Sequence, residues 1–246
     1  MASPGNEPDE LTGVLPVSIE VVSLLDVGGT SRVYRGRDTR RGVDVTVKVV
    51  DHDRRDLLET EGRALARLQG HRGILPVVAL GSVEDGISWI VTDLAPSGSL
   101  LEHRGASAVE VSAWSAQLAD ALAHAHEHGV IHGDLKPGNV LLDENRRVLL
   151  ADFGSAVLSA DSVIRHPVGF TPRFAAPERV SAPLPTEQDD VYALASTMYF
   201  VLAPGERLDR RTRRLLTRCL GAAHARPSSR RLARGLARRL AYGSEP

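Results

Sequence analysis

Polar and apolar residues alternate along two short runs in the first third of the chain. Val43-Asp-Val-Thr-Val-Lys-Val-Val50 carries a β-branched residue at every second position, the pattern of a strand buried on one face. Ile87-Ser-Trp-Ile-Val-Thr92 is a second such run. Between them, Leu58, Leu65 and Leu68 recur at helical spacing with acids ahead of them, which predicts a helix over 57–68. From about residue 98 the period lengthens. Trp114, Leu118, Leu122 and Ala125 form one apolar stripe and predict a helix with one buried face. The stretch 191–202 is apolar nearly all round, which predicts a helix enclosed in a core. The runs 140–142 and 148–151 read as a short strand pair. The expectation is an α+β fold in two parts, a strand-rich one over 17–93 and a helical one over 94–241. Pro96-Ser-Gly-Ser99 stands as a hinge where the regimes change.

Composition narrows the class. A chain of 246 residues with 42% hydrophobic content can bury a sizeable core. Its net charge of -1 argues against a general nucleic-acid binder. The charge is uneven, however. Residues 1–31 carry Glu7, Asp9, Glu10, Glu20 and Asp26 and no basic residue, and their Pro and Gly content predicts a disordered lead over 1–16. Residues 242–246 read as a tail. The stretch 207–239 holds twelve arginines and a single acid, Asp209. Such a run is ordinarily the solvated face of helices, and it could also contact an acidic partner. The lone cysteine, Cys219, excludes an internal disulfide, fits a reducing cytoplasm and sits in an apolar helical pattern as core filler. No run of eighteen apolar residues marks a membrane span, and the start lacks a signal-peptide pattern. His124, His126 and His128 invite a metal reading, but no further ligand type accompanies them.

Chemistry concentrates in His132-Gly-Asp-Leu-Lys-Pro-Gly-Asn139, a polar segment between a helix and the short strand pair. Asp134, Lys136 and Asn139 share this loop. A carboxylate there can accept a proton, an amide oxygen can ligate a hard cation, and an ammonium can neutralise a moving phosphate. Asp152-Phe-Gly154 follows the second strand and sets another carboxylate at a turn.

These segments resemble the catalytic loop and metal-binding motif of protein kinases, specifically the bacterial serine/threonine kinases that are similar to eukaryotic ones. The resemblance implies that Asp134 is the catalytic base, that Lys136 stabilises the γ-phosphate of ATP, and that Asn139 and Asp152 bind Mg²⁺, or Mn²⁺ in its place. Lys48, in Val45-Thr-Val-Lys48, resembles the strand lysine that grips the α- and β-phosphates, with Glu61 as its ion-pair partner. Val27, Gly28, Gly29 and Val33 fall on the glycine-rich loop over ATP. Asp93 to Ala95 match the segment whose backbone holds adenine, with Thr92 guarding the pocket behind it. Thr171-Pro-Arg-Phe-Ala-Ala-Pro-Glu178 matches the end of the activation segment. Asp190 matches the residue that braces the catalytic loop, and Arg226 the late arginine that pairs with Glu178. The resemblance covers roughly residues 17–240 and implies a two-lobed fold, a small sheet with one helix followed by a shortened helical lobe. Of 30 basic residues only Lys48 and Lys136 are lysines, and both stand at kinase positions. A compact ammonium and a planar guanidinium are not equivalent at a phosphate.

The sequence departs from the family in three places. The glycine-rich loop reads Asp26-Val-Gly28-Gly-Thr-Ser31-Arg-Val33 and keeps only the middle glycine, which predicts weakened ATP affinity. Gly133 replaces the arginine that docks a phosphorylated activation loop, so activity should not depend on that phosphate. Phe170 stands where a glycine usually precedes Thr171, and the chain reaches Arg226 too soon for the usual substrate-docking helix, so peptide docking should differ. Two other readings stand beside the kinase: an ATP-binding pseudokinase scaffold, favoured by these departures, and a small-molecule phosphotransferase, whose catalytic loop His132-Gly-Asp-Leu135 matches literally. Lys136, Asp152-Phe-Gly154 and Ala176-Pro-Glu178 separate the chain from the latter.

Overall fold

The computed structural model describes residues 11, 13–27, 31–50, 55–83, 87–159, 169–182 and 184–237. The chain divides into two compact units, 1–66 with 75–94, and 67–74 with 95–246. The fold is α+β.

The first unit is an antiparallel sheet of five strands, β1 (Ile19–Val27), β2 (Arg32–Asp38), β3 (Val43–Val50), β4 (Val77–Ser82) and β5 (Ser88–Asp93), in the order β1-β2-β3-β5-β4. The alternation on β3 works as the sequence predicts. Val45, Val47 and Val49 are fully buried with Tyr34, Trp89 and Val91, while Thr46 and Lys48 point to the opposite face. Gly81 pairs with Trp89 across β4 and β5, and a Cβ at Gly81 would overlap the indole. Only glycine lets the ring lie flat there. Helix α1 (Arg55–Leu68) follows β3 and begins two residues before the predicted span.

Leu11 and Leu15 correct the sequence reading. Both were expected in a disordered lead, yet both are buried in the core of this unit beside Ile19. Their burial outweighs the local Pro and Gly signals. Residues 1–10 and 12, and the tail 242–246, lie outside the described residues.

The second unit is mainly helical: α2 (Ala108–Glu127), α3 (Glu187–Val201), α4 (Arg210–Cys219) and α5 (Ser229–Ala237). Short strand pairings complete it, among them β6 (Val130–Ile131) with β9 (Val157–Leu158) and β7 (Val140–Leu142) with β8 (Val148–Leu150), and a bridge between Ile74 and Leu150. That bridge, the Leu150 N–H bond to Gly73 O at 2.8 Å and the stacking of His71 on His124 tie 67–74 to this unit, against the expectation that they belong with the first. Ser107 caps α2 in a reciprocal capping box with Glu110. Val191, Leu194, Ala195, Met198 and Val201 of α3 are all fully buried, as an all-round apolar helix requires. Cys219 is fully buried, and burial pushes its thiol up to about 12. Arg210, Arg211, Arg213, Arg214 and Arg218 on α4 face solvent. Only residues 202–209 separate α3 from α4. No helix among the described residues is long and apolar enough to cross a membrane.

Candidate active site

In the first unit, Lys48 on β3 reaches Glu61 on α1, Nζ to Oε2, at 2.7 Å. Glu61 is only 4% exposed, which sets it apart from its neighbour Glu59, a solvent-facing partner of Arg55. The Lys48 ammonium offsets the cost of enclosing this carboxylate. Val33 lies opposite Lys48 on β2. Val27 is exposed at the end of β1, and Gly28 and Gly29 lie outside the described residues. Thr92 is buried. Asp93 N–H donates to Pro76 O, and Leu94 N–H to Asp44 O. Ala95 O accepts from Gly98 N–H, and Ala95 N–H has no protein acceptor among the described residues.

In the second unit, the polar loop hangs from one buried carboxylate. Asp190, on the first turn of α3, is 1% exposed. Its Oδ2 accepts from His132 N at 2.8 Å and pairs with His126 Nε2 at 2.9 Å. Its Oδ1 accepts from Gly133 N at 2.9 Å. His126 in turn meets Ser229 Oγ at 2.9 Å through Nδ1. Burial alone would raise the Asp190 carboxyl, but the His126 hydrogen bond, the attraction of His126 and His132 and the Gly133 N–H hold it below the usual range. The His132 ring bonds Ala151 O at 3.0 Å and packs on Phe153, ring centroids 4.8 Å apart. The loop is thus pinned both to α3 and to the Asp152-Phe-Gly154 turn.

Beyond that anchor, the polar side chains converge. Asp134 Oδ2 accepts from Lys136 Nζ at 2.7 Å, and its Oδ1 accepts from Thr171 N at 2.7 Å. Lys136 Nζ also reaches Thr171 Oγ1 at 3.3 Å. Asn139 Nδ2 donates to Asp134 O at 2.9 Å, so of its two amide atoms Oδ1 is the one that could meet a cation. Asp152 has φ 60°, a left-handed conformation rare for a side-chain-bearing residue and concentrated at functional turns. Asn139 and Asp152 both offer hard oxygen donors, the set that suits Mg²⁺ once phosphate oxygens and water complete its shell. Among the described residues no group of three His, Cys, Asp or Glu could hold a metal alone.

A side chain at Gly133 does not fit this backbone. Its φ is +81°, and a Cβ would sit 2.5 Å from Ser155 O. Phe170 lies under the Arg179 guanidinium, 4.9 Å from ring centroid to Cζ. Glu178 and Arg226 form a two-pronged pair at 2.6 and 3.1 Å, with Arg226 also donating to Gly221 O and Gln188 O. The Arg226 hydrogen bond holds the Glu178 carboxyl below its usual range.

Sequence reasoning missed the partnership of His126, which it grouped with His124 and His128 as a metal candidate. His124 instead stacks on His71 and meets His128 at a tilt, at 4.5 and 4.1 Å between ring centroids, while His126 turns inward to Asp190. The signal for this is the even apolar spacing of α2, which puts position 126 on the buried face.

A family profile described as protein kinase domain matches residues 19–218. The DNA damage-responsive serine/threonine-protein kinase RqkA of Deinococcus radiodurans is 35% identical over 196 residues, 74% of this chain and 29% of that protein. Serine/threonine-protein kinase PknK of Mycobacterium bovis is 34% identical over 216 residues, 84% of this chain and 19% of its own length. Serine/threonine-protein kinase PrkC of Bacillus subtilis is 27% identical over 194 residues, 74% of this chain and 30% of its own length. The chain therefore spans less than a third of each of these relatives, and it belongs to the protein kinase family.

Proposed function

We propose that this member of the protein kinase family is an active serine/threonine kinase that transfers the γ-phosphoryl of ATP to protein hydroxyls with Mg²⁺ or Mn²⁺. The observation that carries this reading is Asp134, whose carboxylate is held by the Lys136 ammonium and the Thr171 N–H. In the proposed reaction a Ser or Thr oxygen attacks the γ-phosphorus and the bond to the β-phosphate oxygen breaks. ADP leaves, and the hydroxyl proton passes to Asp134. Lys136 offsets charge on the moving phosphoryl. Lys48, fixed by Glu61, grips the α- and β-phosphates. Ala95 N–H is available to adenine. Asn139 and Asp152 would hold the cation, which would neutralise charge on the phosphates.

Because Gly133 occupies the position of the phosphate-docking arginine, activity is proposed to be independent of an activation-segment phosphate. The exposed arginines of α4 fit an acidic partner, and the reaction is assigned to the cytoplasm, where ATP is at hand. The test is γ-labelled ATP with Mg²⁺ and a generic protein substrate, beside Asp134→Asn and Lys48→Ala. Label transfer that both substitutions abolish, and that phosphatase pretreatment leaves unchanged, is the expected result. No transfer, together with a thermal shift on adding ATP and Mg²⁺, would replace the kinase by a nucleotide-binding scaffold.

A further inference from the structure

Two arginines of the second unit share one aromatic ring and have no acid. The Arg104 guanidinium lies 4.6 Å from the Phe200 ring centroid, and that of Arg173 lies 4.4 Å from the same centroid. Both arginines are solvent-exposed, and neither makes an ion pair among the described residues. The acids of the adjoining segments have other partners: Glu102 accepts from Ser99 N–H and Oγ, Glu206 accepts from Ala108 N–H, and Glu178 is held by Arg226.

The position is built rather than incidental. Phe200 is near the end of α3, and Val201 O accepts from both Gly105 N and Ala106 N at 2.9 Å, which fixes the loop carrying Arg104. Phe174 meets Phe200 edge-on at 5.2 Å, and its N–H bonds Thr171 O at 3.0 Å. Arg173 therefore belongs to the same tight turn as Thr171, the residue bonded to Asp134. Stacking on an aromatic face orders a guanidinium without neutralising it. Two ordered like charges with no counterion make a receptor for an anion. Phe200 is half-buried and both arginines face solvent, so the pair can be met from outside.

We propose that Arg104 and Arg173, set on Phe200, select protein substrates with glutamates or aspartates a few residues from the phosphorylated hydroxyl. The inference rests on the kinase reading for its substrate, and its test separates the two.

Three peptides that differ only in the flanks of one serine, bearing Glu, Gln or Lys, are compared for phosphorylation and, by fluorescence anisotropy, for binding to the intact chain. The Glu peptide should have the highest kcat/KM, through a lower KM, by roughly fivefold or more over the Gln peptide, the size of one or two exposed charge pairs. The advantage should shrink at high salt. In Arg104→Gln/Arg173→Gln the Glu-to-Gln ratio should fall to about one. In Arg104→Glu/Arg173→Glu the preference should turn to the Lys peptide, an inversion that misfolding cannot produce. Equal binding of the Glu and Gln peptides by the unaltered protein, or a Glu preference that survives both double substitutions, would overturn the proposal. If no peptide is phosphorylated while Glu-selective binding is present and lost in the variants, the kinase reading fails and the acidic docking surface stands.

Discussion

Replacing Asp190 by asparagine removes one buried charge from the second unit and almost no volume. The carboxylate accepts from two backbone N–H groups and pairs with His126, and its exposure is 1%. Asparagine keeps one acceptor and turns the other into an N–H₂ donor. Either orientation points a donor at a donor, at Gly133 N–H or at His132 N–H. Hydrogen bonds to a charged group contribute about 1.5–3 kcal/mol each, and breaking a buried charged network costs about 3–5 kcal/mol. We expect Asp190→Asn to lose stability in that range, a large part of the ~5–15 kcal/mol available to a domain. Urea unfolding can be followed in a Trp89→Phe background, where buried Trp114 reports the second unit. A His126→Gln cycle should show coupling above about 0.5 kcal/mol. The pH dependence has a definite sign. The folded Asp190 carboxyl is held below its ordinary value, so its contribution is present above about pH 3.9 and is lost as pH falls through the lower folded value. The gap between wild type and variant should hold from neutral pH down to about 4 and close below it. A loss under about 1 kcal/mol, no more than an average substitution, would refute the hub.

Three further outcomes are expected. Cys219, with its thiol pushed up to about 12 by burial, should resist thiol reagents at pH 8 in the native chain and react fully in urea; rapid stoichiometric native labelling would contradict this. Gly133→Ala should destabilise by at least about 1–2 kcal/mol for the left-handed backbone, with the crowding against Ser155 O added, read as a drop in thermal midpoint; an unchanged midpoint would mean the loop adopts another path. Arg226→Met should cost about 2 kcal/mol or more by urea unfolding, because it strands the carbonyls of Gly221 and Gln188 as well as Glu178; Glu178→Gln, which keeps an acceptor at an exposed site, should cost much less.

Local pattern carried the β3 strand, the enclosed helix α3 and the order of the polar motifs, because each is written within a turn or a strand of neighbouring residues. What the pattern could not carry is long-range pairing. Ser229 bonds His126 across 103 residues, and nothing in the Pro-Ser-Ser run around it advertises a buried hydroxyl. The burial of Leu11 and Leu15 was hidden for the same reason: local Pro, Gly and acids describe the segment's own preference, whereas the sheet that buries those leucines is assembled from residues further along. The contact of Thr171 with Asp134 is legible only through the family resemblance, since 37 residues separate them.

Gly133 and Asp190 together argue for how the loop keeps its shape without an arginine. Where a kinase relies on an arginine before the catalytic aspartate, the loop's geometry answers to a phosphate on the activation segment. Here the residue before Asp134 has φ +81° and no room for a Cβ, so no side chain can carry such a signal. The restraint comes instead from backbone: the N–H groups of His132 and Gly133 are both taken by one carboxylate, which His126 and Ser229 hold from behind. A backbone restraint of this kind is present as soon as the second unit folds and has nothing to release on dephosphorylation. On the reading proposed above, regulation of this chain acts elsewhere than through a phosphate read by the catalytic loop, and activity that rose many-fold on activation-segment phosphorylation would count against that reading and not only against the role of Gly133.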